Sequence, residues 1–398
     1  MDENKRLGKA HPLSLPGCLL LLCLQAASAN PAGVQVIDKV IMIPKPPWSA
    51  VLTTSGVLAT WLSHVNALDR REFVEQEVDF VLADGTRAGG LLFPRAGQAP
   101  LLLATFGFLA DRWSKPAAQF VDDYLIRGSF PAHVLILDHP SSAPFLAANG
   151  ELSLGGLDEG QMVLEVARQL RGGGAAKLEL RISSYHLLGV SMGGLGVLYA
   201  VREDARSASP ILGSAAVFSS VTRLDEVRAH ELVTRGRVTL EPERRRALSP
   251  AALLGAGIFR DLREHFRSSY RERTGERLDW SDDDTGQRLY ELMERRVRRL
   301  FAERKNGVAF DSLDGYMEFN NVCGMGEDVA VPLVMIHARD DPVVPVSHLE
   351  CFEKSASSNP NVSTYVTNNG GHWGFARTYG RDWIAAILEA VLSAGAPR

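Results

Sequence analysis

The chain has 398 residues, 45% hydrophobic and 23% charged, with a formal net charge of −4. This is ordinary globular composition, ample for a large core, in two domains or one large α/β domain with insertions. With no long basic run at a terminus, nucleic-acid binding has no electrostatic support.

Lys5, Arg6 and Lys9 precede a short apolar segment, Leu15 to Leu24, and Ala27-Ser28-Ala29 fits a small-residue cleavage site. This pattern predicts a secretory signal peptide over residues 1–29 and an exported protein, periplasmic or secreted. The apolar segment is too short to span a bilayer comfortably as an uncleaved anchor. Residues 30–72 are expected to form a helical lead-in. Within it Val51 to Leu68 is apolar but holds Thr53, Ser55, His64 and Asn66, too many polar groups for a membrane span. A packed helix is the plainer reading, and transient membrane-surface contact is the alternative.

From Phe73 onward the pattern changes. Gln76 to Val81 and Gly89 to Phe93 read as strands paired around Ala83-Asp84-Gly85, a hairpin signal. Continuous apolar runs follow at Pro100 to Phe106, Ala132 to Leu137, His186 to Val190, Ser214 to Phe218 and Val331 to Ile336, as expected of strands buried on both faces. Helical patterns lie between them, as at Phe120 to Ile126 and Gly160 to Leu170. Such alternation predicts an α/β fold with a mainly parallel central sheet flanked by helices.

The alternation pauses over 221–328, which reads as a helical cap inserted between core segments 73–220 and 329–398. Ser249-Pro250 opens one helix. Another begins after Asp282-Asp283-Asp284 and runs to Lys305, where Asn306-Gly307 can stop it. Its Leu289, Met293, Val297, Leu300 and Phe301 share a face. Arg295, Arg296, Arg298 and Arg299 fall mostly off that face, and read as a solvated surface balanced by nearby acids rather than a basic mouth for anionic substrates. Cys18 and Cys23 leave with the signal peptide. Cys323 and Cys351 remain, either as one disulfide or as two thiols, without metal-type spacing.

The chemistry concentrates at Gly189-Val190-Ser191-Met192-Gly193, between a strand-like run and a helix-like segment. Strand, tight glycine turn and helix are what a nucleophile elbow requires, with the Ser191 hydroxyl lifted clear of the sheet. A serine hydroxyl needs a base, usually a histidine oriented by a carboxylate. His372 suits that role, because Gly370-Gly371-His372-Trp373-Gly374 follows the strand-like run Val362 to Val366. His186 and His337 fall in or near strands, His230 and His265 in cap helices, and His64 on the leading helix. The carboxylate is expected just after Val331 to Ile336, where Asp341 precedes Pro342-Val343-Val344-Pro345 and Asp340 is the reserve. Negative charge developing on a substrate carbonyl oxygen would meet the backbone N–H groups of Met192 and Phe108, the latter beside Gly107 in the loop after Pro100 to Phe106.

The order Ser191, Asp341, His372 is that of α/β-hydrolases, and the chain resembles that superfamily. Within it the residues are similar to the group of bacterial YheT-type hydrolases, plant embryogenesis-associated hydrolases and animal α/β-hydrolase-domain lipases. The resemblance rests on Gly-Val-Ser-Met-Gly-Gly, on Ala-Arg-Asp-Asp-Pro-Val-Val-Pro, and on Asn359-Pro360-Asn361-Val362 followed by Gly370-Gly371-His372-Trp373-Gly374-Phe375. Phe310-Asp311 through Gly315-Tyr316 is similar to the group's segment before that strand. The chain departs from the group at Phe106-Gly107, where His-Gly is usual. It departs again at Asp138-His139-Pro140-Ser141, where an arginine-glycine turn is usual. The resemblance implies carboxyl-ester hydrolysis, with lipid or short-acyl esters among the substrates.

The expected protein is therefore a serine hydrolase acting through an acyl-serine on a small-molecule or lipid ester, needing no metal or organic cofactor. An acyltransferase with the same three residues, and a non-catalytic binding protein on the same fold, are the alternatives. A haloalkane dehalogenase is disfavoured, because its elbow carries a carboxylate nucleophile.

Overall fold

The computed structural model describes residues 35–37, 40–42, 75–126, 130–224, 263–278, 282–301 and 309–394. The proposed signal peptide, Val51 to Leu68, Ser249-Pro250, Lys305 and Asn306-Gly307 lie outside them. The lead-in differs from expectation. At its start Gln35–Ile37 (β1) and Val40–Met42 (β2) pair as a short antiparallel ribbon rather than a helix. Val36, Ile37, Val40 and Ile41 are β-branched, and such side chains favour strands over helices.

Eight further strands form one sheet: β3 (Gln76–Val81), β4 (Arg87–Phe93), β5 (Gln98–Thr105), β6 (His133–Leu137), β7 (Arg181–Val190), β8 (Leu212–Phe218), β9 (Leu333–Ala338) and β10 (Val362–Thr367). Their order is β10-β9-β8-β7-β5-β6-β4-β3. All neighbours are parallel except at the β3 end, where β4 runs antiparallel to both β3 and β6.

The apolar runs of β5, β6, β8 and β9 are continuous because both faces are covered. Leu101, Leu103, Leu187, Ala215 and Met335 point into one core, and Leu102, Ala104, Leu188, Ala216 and Val334 into the other. Helices α1 (Lys115–Phe120, continuing as a wider turn to Ile126) and α10 (Arg381–Ala394) supply buried residues to the second core. Helices α3 (Leu157–Gln169) and α4 (Met192–Ala205) supply the first. Burying each such leucine contributes roughly 1.5–3 kcal/mol.

The chain passes from β5 to β6 on one side and then returns to lay β7 on the other side of β5. Loops leaving the carboxyl ends of β5 and β7 therefore diverge there and open a crevice, where open α/β sheets place their ligands. Between β8 and β9 the described residues include α5 (263–274), α6 (Asp282–Phe301) and α7 (Leu313–Phe319). On α6 Leu289, Met293, Val297 and Phe301 are buried, as their spacing implies.

Arg296 departs from the solvated-face reading. It is only 2% exposed and pairs with Asp158 at 2.6 Å and Glu151 at 2.7 Å. Arg299 also binds Glu151, so neither cation is left for an anionic substrate. The acids that neutralise Arg296 come from segments more than a hundred residues earlier, which helix periodicity cannot reveal. Cys323 and Cys351 form a disulfide, with Cα atoms 5.2 Å apart.

Candidate active site

Ser191 sits where β7 ends and α4 begins. Its φ of 59° and ψ of −124° are an uncommon conformation for a residue with a Cβ. Surrounding bonds impose it: Ser191 N–H donates to the Phe218 carbonyl at 3.0 Å, and its own carbonyl accepts from Gly194 N–H at 3.0 Å and Val221 N–H at 3.3 Å. The hydroxyl makes no capping bond to the helix that follows. Such strain costs about 1–3 kcal/mol and persists only where the fold over-determines it.

Two glycines allow the crossing. A Cβ on Gly193 would stand 2.5 Å from the Thr105 carbonyl oxygen, so α4 can start against β5 only if that residue has no side chain. A Cβ on Gly107 would stand 2.9 Å from Ser191 Cβ, 3.1 Å from Ser191 Oγ and 3.8 Å from Met192 N. The loop after β5 thus passes directly over the serine hydroxyl and the first N–H of α4. Phe108, the next residue, sends its side chain into the core.

Asp341 follows β9 and is buried. Its Oδ1 accepts from Val343 N–H at 2.8 Å and Val344 N–H at 2.9 Å, while Oδ2 lies 2.9 Å from His372 Nδ1. Burial pushes its pKa up, but His372, His337 and the backbone donors outweigh that and hold it below the ordinary carboxylate value. A carboxylate at Nδ1 fixes the tautomer with the proton there, which makes Nε2 the basic nitrogen of His372. His337 also approaches Asp341 Oδ2, at 3.5 Å, and its Nε2–H donates to the Val344 carbonyl at 2.8 Å. Asp340 acts elsewhere, its Oδ1 accepting Gly371 N–H at 2.9 Å, next to His372.

His372 lies in the glycine loop after β10. Its neighbour Trp373 is buried with φ of 104°, and its ring meets Phe218 edge-on at 5.4 Å and Phe106 at 6.0 Å. Phe218 ends β8 and Phe106 follows β5, the two strands flanking β7. Trp373 therefore anchors the histidine loop across the end of the strand that carries Ser191.

The structure joins Asp341 directly to His372 and brings Gly107 and Met192 N–H against Ser191. Sequence reasoning passed over a buried group behind the loop, comprising His139, Ser141 and Glu159, all fully enclosed. The only signal for it was the unusual Asp138-His139-Pro140-Ser141. A second missed contact ties the same loop to α5: Asp111 accepts from His265 Nε2 at 3.0 Å and Ser269 Oγ at 2.8 Å. Among the described residues, no three His, Cys, Asp or Glu are grouped to hold a metal ion. No described helix is long and apolar enough to cross a membrane.

A family model described as alpha/beta hydrolase fold matches residues 162–377, more than half of the chain. No curated protein sequence matches. Among solved structures the chain is similar to an esterase of Pyrococcus furiosus, at 14% identity and a TM-score of 0.48, over 80% of this chain and 93% of that one. It is also similar to an acylaminoacyl peptidase of Pyrococcus horikoshii, at 12% identity and a TM-score of 0.45, over 81% of this chain and 41% of that one. A bacterial membrane phospholipase A aligns at 16% identity and a TM-score of 0.44, over 84% of this chain and 89% of that one.

Proposed function

This chain belongs to the alpha/beta hydrolase fold family, and on that premise we propose that it is a serine hydrolase of carboxylic esters, with Ser191, His372 and Asp341 as its catalytic residues. The observation that carries the reading is the 2.9 Å contact of His372 Nδ1 with buried Asp341, in a loop anchored over the strained elbow of Ser191. His372 Nε2 takes the Ser191 Oγ proton as the oxygen attacks the acyl carbonyl. The oxyanion that forms is met by Met192 N–H, at the positive end of α4, and by Phe108 N–H. His372 returns the proton to the leaving alcohol, leaving an acyl-serine. Water then repeats the cycle and releases the acid. Asp341 stays ionised throughout and stabilises the imidazolium.

Lipid or short-acyl esters are the proposed substrates, and the Cys323–Cys351 disulfide favours an oxidising compartment, consistent with export. A fluorophosphonate probe should label the wild type and not Ser191→Ala. An unlabelled wild type, or equal labelling of both, rejects the enzyme reading and leaves a binding protein. An ester panel of rising acyl length, run with and without alcohol acceptors, separates hydrolysis from acyl transfer. Mass measurement of the exported protein tests cleavage: an intact Met1 terminus rejects it.

A further inference from the structure

The loop that crosses Ser191 is bracketed by Thr105 and Leu109, and a single chain of buried side chains holds both. Leu109 N–H donates to Ser141 Oγ at 2.7 Å. Ser141 Oγ lies 2.6 Å from His139 Nδ1, and Ser141 N–H donates to the same nitrogen at 3.1 Å. His139 Nε2 faces Glu159 Oε2 at 3.3 Å, an electrostatic contact rather than an aligned hydrogen bond. Thr105 Oγ1 closes the chain by donating to Glu159 Oε1.

The hydrogen bonds have one consistent direction. Because Nδ1 accepts the Ser141 N–H, it carries no proton, and the imidazole proton sits on Nε2 toward Glu159. The Ser141 hydroxyl then donates to Nδ1 and keeps a lone pair for Leu109. Gly155 packs against this contact, and a Cβ there would stand 2.9 Å from His139 Nε2 and 3.0 Å from Glu159 Oε2.

What this chain controls follows from peptide geometry. Leu109 has φ of 61°, a conformation that leucine seldom adopts, and its N–H is the group Ser141 holds. The Gly107 carbonyl accepts Ala110 N–H at 3.0 Å. In a trans peptide the N–H points opposite to the C=O, so Phe108 N–H is aimed away from that turn. Fixing Leu109 N–H and the Gly107 carbonyl fixes the peptide planes on either side of Phe108.

We infer that Glu159, His139 and Ser141 are positioning residues that set the oxyanion loop. The inference rests on the serine hydrolase reading, and its test separates the two. Ser141→Ala should lower kcat about 10- to 100-fold with KM within about 2-fold. It should weaken a trifluoromethyl ketone, which forms a tetrahedral oxyanion on serine, by the same factor. The matching carbinol, which forms none, should bind unchanged. Should Ser141→Ala not fold, Glu159→Gln carries the same comparison with the volume kept and a smaller loss in the same ratio. Ketone affinity unchanged from wild type, or ketone and carbinol weakened together, overturns the positioning role alone. A wild type that neither binds the ketone nor reacts with fluorophosphonate overturns the hydrolase reading and this inference with it.

Discussion

Two sets of serine, histidine and carboxylate flank the same loop, and they are wired in opposite senses. At the sheet edge the carboxylate of Asp341 takes Nδ1 of His372, which leaves Nε2 as the base. Behind the loop Ser141 takes Nδ1 of His139, and the carboxylate of Glu159 faces Nε2. Ser191 is half-buried on a strained elbow with φ of 59°. Ser141 is fully buried, lies in ordinary backbone, and already accepts Leu109 N–H. The same residue types thus serve as a proposed reaction centre in one place and as a brace in the other. Access and backbone strain, not composition, separate the two roles.

The widest separation is expected on removing each histidine. His372→Ala should lower kcat about 10⁴-fold or more, as should Asp341→Asn through the wrong tautomer, with little change in melting temperature. His139→Ala takes a partner from the buried Ser141 hydroxyl and Glu159 carboxylate and should instead destabilise the fold by about 1–3 kcal/mol. Steady-state kinetics and thermal melts on both variants decide this. A wild-type melt for His139→Ala, or an unfolded His372→Ala, would erase the contrast.

The loop between the two sets is the next place to press. Gly107→Ala sets a methyl 3.1 Å from Ser191 Oγ and should slow turnover and fluorophosphonate labelling about 10²- to 10³-fold. Labelling at the wild-type rate would show that the loop does not cover the hydroxyl.

The open set was legible in the sequence because each member follows a strand that reads plainly. Val190 before Ser191 and Ile336 before Asp341 close apolar runs, and Val366 before His372 closes a strand-like one. The brace was not legible. Asp138-His139-Pro140-Ser141 stood out as unusual, but Glu159 lies at the start of α3, where an acid is already favoured by the helix dipole. Only packing shows that it turns inward. The strand ends were misjudged where polarity alternates or a proline intervenes. β7 starts at Arg181, five residues before its apolar run, and β9 starts after Pro332. The wider turn at Val121–Ile126 leaves no trace in periodicity.

Acid should act on the fold through its sealed histidines. Burial lowers His186 to about 4 and His348 to about 3, the latter with help from neighbouring positive charge. Their unfolded forms take a proton near pH 6.5, and their folded forms resist it. Their contribution is therefore fully present above pH 6.5 and falls as pH drops toward 4, by about 1.4 kcal/mol per pH unit for each. Urea midpoints measured between pH 7 and pH 4.5 should fall in wild type and fall less steeply in His186→Gln, where His348 still contributes. Equal slopes in both would remove His186 as a cause.

The smallest expected effect distinguishes the neighbouring aspartates. Asp340 touches the open set through the Gly371 N–H, at 2.9 Å. Asparagine keeps a carbonyl oxygen able to accept that bond, so Asp340→Asn should change kcat by less than about 3-fold. Asp340→Ala removes the acceptor and loosens the turn before His372, and one neutral hydrogen bond of about 0.5–1.5 kcal/mol corresponds to at most about a 10-fold loss. Asp341→Asn cannot be excused in the same way, because its Oδ2 must accept from His372 Nδ1 while Oδ1 is held by Val343 and Val344. An amide there presents a donor to a donor or turns the ring. If Asp340→Asn instead matches Asp341→Asn in kcat, the carboxylate that orients His372 during turnover is Asp340, and the loop must move to reach it.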